Sequence, residues 1–198
     1  KGIIDFMDKQ IQEAIRIFKN GGIVIFPTDT TFGIGCRIDD ENAVKKLFKI
    51  RQRPKNKAVP VLISSIDMAG EYIKQIPQDV ESLMKEYWPG ALTIILCCNK
   101  VIVPSLVRGG GETLGVRIPN NKIIQTIIAK VGAPILGPSA NFSGAKTPYN
   151  FKDLDIDLVK LVDYVVEGEC LLKKPSTVID CSKKPWKILR SGAVSVSL

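Results

Sequence analysis

Residues 27–36 read PTDTTFGIGC. They set Thr28, Asp29, Thr30 and Thr31 directly behind an apolar run, IVIFP at 23–27. A solvated turn needs only one or two polar residues. Three hydroxyls and a carboxylate, followed by Gly33 and Gly35, read as the lining of a ligand site whose glycines let backbone come close. A plain polar connection from strand to helix is the other reading. Two further stretches invite the same question. RQRPKNK at 51–57 carries Arg51, Arg53, Lys55 and Lys57 within seven residues. Guanidinium forks hold phosphate oxygens two at a time, although positive charge is also favourable at the C-terminal end of a helix. PSANFSG at 138–144 places Ser139 and Asn141 two apart, on one face of an extended backbone. Asn141 could read a nucleotide or hold a phosphate-bound cation, and Ser139 could hold a carboxylate or an amine. An Asn/Ser/Gly turn is the alternative.

The sequence contains no histidine. That removes Ser-His-Asp and Cys-His nucleophilic catalysis, histidine general bases and histidine-ligated zinc together. Chemistry is left to Lys, Arg, Ser, Thr, Asp, Asn, backbone amides or a hard cation such as magnesium. Such groups suit phosphate chemistry, where positioning and charge neutralisation do most of the work. There is no G-x-x-x-x-G-K-[ST] run, and Gly109-Gly110-Gly111 lacks the G-x-G-x-x-G spacing of a dinucleotide fold. Five cysteines without C-x-x-C spacing argue against a disulfide framework or a zinc ribbon.

These residues must be positioned by elements that alternate in type. Apolar residues at Ile11, Ala14, Ile15 and Phe18 give a helix over 8–20, closed by Gly21-Gly22. IVIFP follows as a buried strand. Asp39 or Asp40 caps a second helix that ends near Arg53, ahead of Pro54. VPVLI at 59–63 is a strand, and Ser64 or Ser65 opens a short helix through Ile73. A helix starts at Pro77 and stops at Pro89-Gly90, before strand ALTIILCC. The glycine cluster RGGGET leads into a strand near 114–118. Asn120 is the expected cap of the helix NKIIQTIIAKV, and APILG at 133–137 is a strand. A helix near 153–162 and short strands DYVVEG, STVIDC and WKILR complete the pattern. The class is α/β with a mixed sheet. Five polar clusters stand at ends of apolar strands, where ligand crevices form in such sheets.

With 198 residues, 45% of them hydrophobic, the expectation is one domain, 1–198, with a substantial core. No apolar run approaches the roughly 20 residues that span a bilayer. Lys1 to Asp8 is too short and too acidic at its end for a signal peptide, so a cytoplasmic location is expected. The net charge of +8 favours an anionic partner such as a nucleotide, phosphate or nucleic acid.

Taken together, GGIVIFPTDTTFGIGC, LFKIRQRPKNKAVPVLI, YWPGALTIIL, LGVRIP, PILGPSANFSG, STVID and ILRSG resemble the YrdC family, the threonylcarbamoyl-AMP synthases of tRNA modification. The runs span residues 21–192 in the family's order, and the length resembles the short form without an extra C-terminal domain. The resemblance implies a twisted mixed sheet flanked by helices around an open concave cavity. It implies formation of threonylcarbamoyl-AMP and diphosphate from L-threonine, bicarbonate and ATP, with Mg2+ carried by the nucleotide and no metal site of the protein's own. A partner transferase then modifies tRNA. Residue by residue, Thr28, Arg117, Ser139 and Ser176 would serve threonine, with Asp29 and Thr31 shaping the wall. Arg51, Arg53, Lys55, Thr113, Asn141, Tyr149 and Arg190 would serve ATP. Arg51, Arg53, Ser139 and Asn141 would be the catalytic set. Two positions depart from the pattern: Arg51 replaces a lysine, and Phe32 stands where many members carry tyrosine. A non-catalytic protein that binds tRNA or double-stranded RNA through its basic surface is the competing reading. The set Thr28, Ser139, Asn141 and Ser176 argues for the enzyme, since an RNA binder has no need of it.

Overall fold

Apolar spacing dictates the helices, and short polar side chains dictate where they start. In the computed structural model, which describes residues 2–197 and side chains from Phe6 onward, α1 covers Gly2–Lys19. It buries Ala14, Ile15, Ile17 and Phe18 and ends at Gly21, whose φ of +75° only glycine adopts without strain. Helix α2, Glu41–Ile50, starts at Asp40, whose carboxylate accepts the Ala43 N–H, and buries Val44, Leu47 and Phe48. Helix α3, Ile66–Tyr72, is capped by Ser65, and α4, Gln78–Tyr87, follows Pro77. Helix α5, Lys122–Val131, packs on α1 and is capped by Asn121 rather than by Asn120. The Asn121 side chain accepts from both Ile123 and Ile124 N–H groups. The helix expected near 153–162 is broken into a 3-10 turn, Phe151–Asp153, and a short α6, Ile156–Val159. Here Asp153 and Asp155 bind nearby backbone N–H groups and compete with a continuous helix.

The strands form two sheets where one was expected. Strands β1 (Val24–Pro27), β2 (Phe32–Gly35) and β7 (Tyr164–Val165) make a three-stranded sheet in the order β2-β1-β7. The second sheet contains β3 (Val61–Leu62), β4 (Leu92–Cys97), β5 (Thr113–Arg117), β6 (Ile135–Leu136), β8 (Thr177–Asp180) and β9 (Lys187–Arg190). Its order is β6-β3-β5-β4-β8-β9, with parallel and antiparallel neighbours mixed. The fold is mixed α/β, with twisted sheets flanked by helices. Residues 28–31 therefore turn the chain from β1 back into antiparallel β2, strand to strand.

Two isolated bridges, Gly33 to Ser139 and Arg37 to Ile135, stitch the sheets together. The contact is tight at Gly35, where an added Cβ would lie 2.0 Å from the Leu136 carbonyl oxygen. One large core runs through both sheets, from Ile23, Ile25 and Phe32 to Val61, Ile94 and Ile179.

Candidate active site

The seam between the sheets holds a cavity of about 180 Å3, and Arg51, Arg53, Arg117 and Arg190 all reach its wall. The lining contains no carboxylate. Arg117 is ion-paired to Asp29 behind the lining, and the three uncompensated guanidinium charges that remain favour a polyanion.

Each guanidinium is held differently. Arg117, at the end of β5, donates from Nε to the Gly90 carbonyl at 2.8 Å and from Nη1 to Thr30 Oγ1 at 2.8 Å. Its Nη2 donates to Asp29 Oδ1 in a buried ion pair. Burial lowers its pKa, and the Asp29 charge opposes that shift. Arg190, at the end of β9, donates from Nε and Nη2 to the Ser176 carbonyl and hydroxyl, both at 3.0 Å. Burial lowers its pKa too, opposed by Tyr149 nearby. Ser176 Oγ lies 2.9 Å from Thr93 Oγ1, which fixes it further.

Arg51 is 3% exposed and donates from Nε to the Asn141 carbonyl at 3.0 Å. Its Nη1 is buried without a partner. Burial, then the neighbouring Arg53, push its pKa down to about 10, so it stays charged at neutral pH. Arg53 turns two of its donors onto backbone, with Nε on the Lys57 carbonyl at 3.0 Å and Nη2 on that of Ala58. It closes the 54–58 loop on itself as well as facing the cavity.

The structure thus brings Thr31, Arg51, Arg53, Arg117, Ser139, Ser176 and Arg190 to one cavity. The other expected residues stand elsewhere. Thr28 Oγ1 accepts the Thr30 and Thr31 N–H groups, each at 3.1 Å, and donates to the Thr31 carbonyl at 2.7 Å. Its hydroxyl builds the turn, and the turn's cavity-facing side chains are Thr30 and Thr31. Asn141 lies behind the wall. Its Oδ1 accepts from Ser139 Oγ at 2.5 Å, and its Nδ2 donates to the carbonyls of Phe142 and Ala145. Thr113 pairs with Cys97 at the far end of β5, four residues or about 13 Å from Arg117. The glycine cluster before it backs the 54–58 loop instead of lining the cavity, with the Gly109 Cβ position 2.7 Å from Ala58 N. Lys55 is exposed on that loop. Tyr149 lines a neighbouring cleft of about 490 Å3 together with Cys170 and Lys173. The Phe32 ring is fully buried and meets Phe151 edge-on at 6.1 Å, away from the cavity lining.

Thr93 and Thr147 also line the cavity and were not anticipated. Thr93 had a signal, a lone hydroxyl inside the apolar strand LTIIL. Thr147 had none. The five cysteines are free, and burial raises the thiol pKa of Cys170 to about 11 and of Cys181 to about 12, which suits packing rather than nucleophilic attack. Among the described residues, no group of three or more Cys, Asp or Glu side chains stands close enough to hold a metal ion.

Comparison with known proteins places the chain in a family. The threonylcarbamoyl-AMP synthase of Pyrococcus abyssi is 35% identical over 186 residues, covering 93% of this chain and 54% of the relative. The uncharacterized protein YciO of Escherichia coli is 30% identical over 187 residues, covering 94% of this chain and 90% of the relative. The crystal structure of P. abyssi Sua5 complexed with L-threonine superposes with a TM-score of 0.88 at 35% identity, over 92% of this chain and 54% of that one. This chain therefore spans about half the length of the P. abyssi synthase. The model of the Sua5/YciO/YrdC family, described as telomere recombination, matches residues 16–192. The chain belongs to the Sua5/YciO/YrdC family.

Proposed function

We propose that this protein, acting as one unit over 1–198, makes threonylcarbamoyl-AMP and diphosphate from L-threonine, bicarbonate and ATP. The observation that carries the reading is the convergence of four arginines and the Ser139 and Ser176 hydroxyls on one carboxylate-free cavity. The L-threonine complex of the P. abyssi relative supports the amino acid.

In this reading the threonine amine attacks bicarbonate, forming a C–N bond and releasing water to leave a carbamate. A carbamate oxygen then attacks the α-phosphorus, and the bond to diphosphate breaks. Arg117 and Ser176 hold the amino acid's carboxylate end, with Ser139, Thr30 and Thr31 beside it. Arg51, Arg53 and Arg190 take phosphate oxygens, and Tyr149 in the adjoining cleft lies toward the nucleoside. Asn141 acts by holding Ser139 and Arg51 in place. Bound reactants supply proximity, and the arginines spread developing charge. Magnesium would travel with the nucleotide, because the cavity lining offers it no carboxylate. The product is reactive, so a transferase acting on tRNA must consume it, which fits a cytoplasmic location. No helix among the described residues is long and apolar enough to cross a membrane.

The test is diphosphate release from ATP, bicarbonate and magnesium, with each amino acid tried in turn. Threonine-dependent release is expected. Equal turnover without threonine, or with any amino acid, would falsify the assignment.

A further inference from the structure

Among the ion pairs joining described residues, Arg117–Asp29 is the one with both partners buried, at 6% and 4% side-chain exposure. The others lie at the surface. Arg51, Arg53 and Arg190 are anchored only by neutral carbonyls and a hydroxyl, so each keeps its full charge toward the cavity. Arg117 alone faces the cavity with a carboxylate bonded to it. A guanidinium has five N–H groups. Three are used, one each on Gly90, Thr30 and Asp29, which leaves one free on each terminal nitrogen.

Asp29 is itself rigidly placed. It follows the Thr28 turn, and its backbone carbonyl accepts the Leu172 N–H at 2.8 Å. Its second carboxylate oxygen is buried with no partner, so among the described residues Arg117 is the one group its side chain bonds. We propose that Asp29 is the positioning residue that aims Arg117 at the substrate amino acid's carboxylate, and so sets amino-acid affinity separately from ATP affinity. The inference deepens the function proposed above and rests on it. Part-neutralising Arg117 also suits it to a singly charged carboxylate, while the three uncompensated arginines suit polyphosphate.

The experiment is steady-state kinetics of diphosphate release on the parent, Asp29→Asn, Arg117→Ala and the double variant, with folding checked by circular dichroism. Asp29→Asn is expected to raise the threonine KM about tenfold or more, since misaimed groups are costly. The ATP KM should stay within about twofold, and Asp29→Asn should add nothing in the Arg117→Ala background. A general structural defect would move both KM values and would add in the double variant. An unchanged or lowered threonine KM in Asp29→Asn overturns the proposal, a lowered one meaning that Asp29 merely competes with substrate. If the Asn variant does not fold, Asp29→Glu carries the same test, because it keeps the charge and displaces the aim. A parent inactive with threonine overturns the function and this role with it, whereas an active parent with unchanged variants overturns this role alone.

Discussion

Arg51 Nε and the Asn141 carbonyl oxygen are 3.0 Å apart and tie together loops that lie 90 residues apart in the chain. The Ser143 N–H returns the favour to the Arg51 carbonyl at 2.8 Å. Because Asn141 also holds Ser139, Arg51 and the Ser139 hydroxyl are tied to the same residue. Arg51 Nη1 is buried without a partner, so the guanidinium's charge is not offset by a bonded carboxylate.

Arg51→Gln removes the charge and the free donor. ATP binding should weaken by about 1.5–3 kcal/mol, the scale of charge-assisted hydrogen bonds, as read by calorimetry. Arg51→Lys keeps the charge but has a single donor head to divide between Asn141 and ligand, so it should bind ATP between the two. ATP affinity equal to the parent's in Arg51→Gln would remove this residue from the phosphate site.

Gly192 tests the link between backbone packing and Arg190. An added Cβ would lie 2.3 Å from the Pro175 carbonyl oxygen and 2.4 Å from Thr177 N, so Gly192→Ala must push the segment that carries Ser176. We expect a loss of about 1–3 kcal/mol in denaturant unfolding, the scale of overpacking, together with weakened ATP binding. Gly110→Ala is the control. It sits at φ +79° with nothing within 4 Å, so only backbone strain of about 1 kcal/mol should appear, with no effect on ligands.

Much of this site was legible in the sequence because clustered charge and hydroxyls at strand ends report themselves. RQRPKNK, VRIP, STVID and ILRSG each supplied a cavity residue. Helices with a clear apolar stripe and a cap, such as α2 behind Asp40, were legible for the same local reason. The turn at 28–31 was not, because no period tells which of four adjacent polar side chains faces inward. Only the fold shows that Thr28 bonds its own turn while Thr30 meets Arg117. The split into two sheets was hidden as well. It depends on β1 pairing with the two-residue β7, about 140 residues away, and non-local pairing leaves no local mark. The partners of Asn141 were hidden for a related reason: sequence names a polar side chain but not the Ser139, Phe142 and Ala145 groups it bonds.

Asp163 carries an acid-sensitive contribution far from the cavity. Burial alone raises its pKa, but the Ile23 N–H at 2.7 Å and Lys46 at 3.0 Å outweigh that and hold it below the ordinary 3.8. A carboxylate with a depressed folded pKa stabilises above its unfolded pKa, and the contribution disappears as pH falls through the folded value. Asp163→Asn should therefore be less stable than the parent at pH 7, and the gap should narrow as pH drops below 3.8. A gap independent of pH would mean that the charge contributes nothing.

Ser139→Ala separates the enzyme from an RNA binder. The substitution removes one hydroxyl at the cavity wall and no charge, so any RNA affinity arising from the +8 net charge should persist with its salt dependence intact. Removing Asn141 as well would confuse the result, because its amide also bonds Phe142 and Ala145 and its loss would cost about 1–3 kcal/mol of loop stability. The single variant leaves those bonds in place. Diphosphate release should fall by about 10²-fold if Ser139 holds a reactant in register. Both activities are to be measured on the same folded preparation. RNA binding with no diphosphate release even in the parent would favour the RNA binder, and retained catalysis in the variant would exclude Ser139 from the reaction.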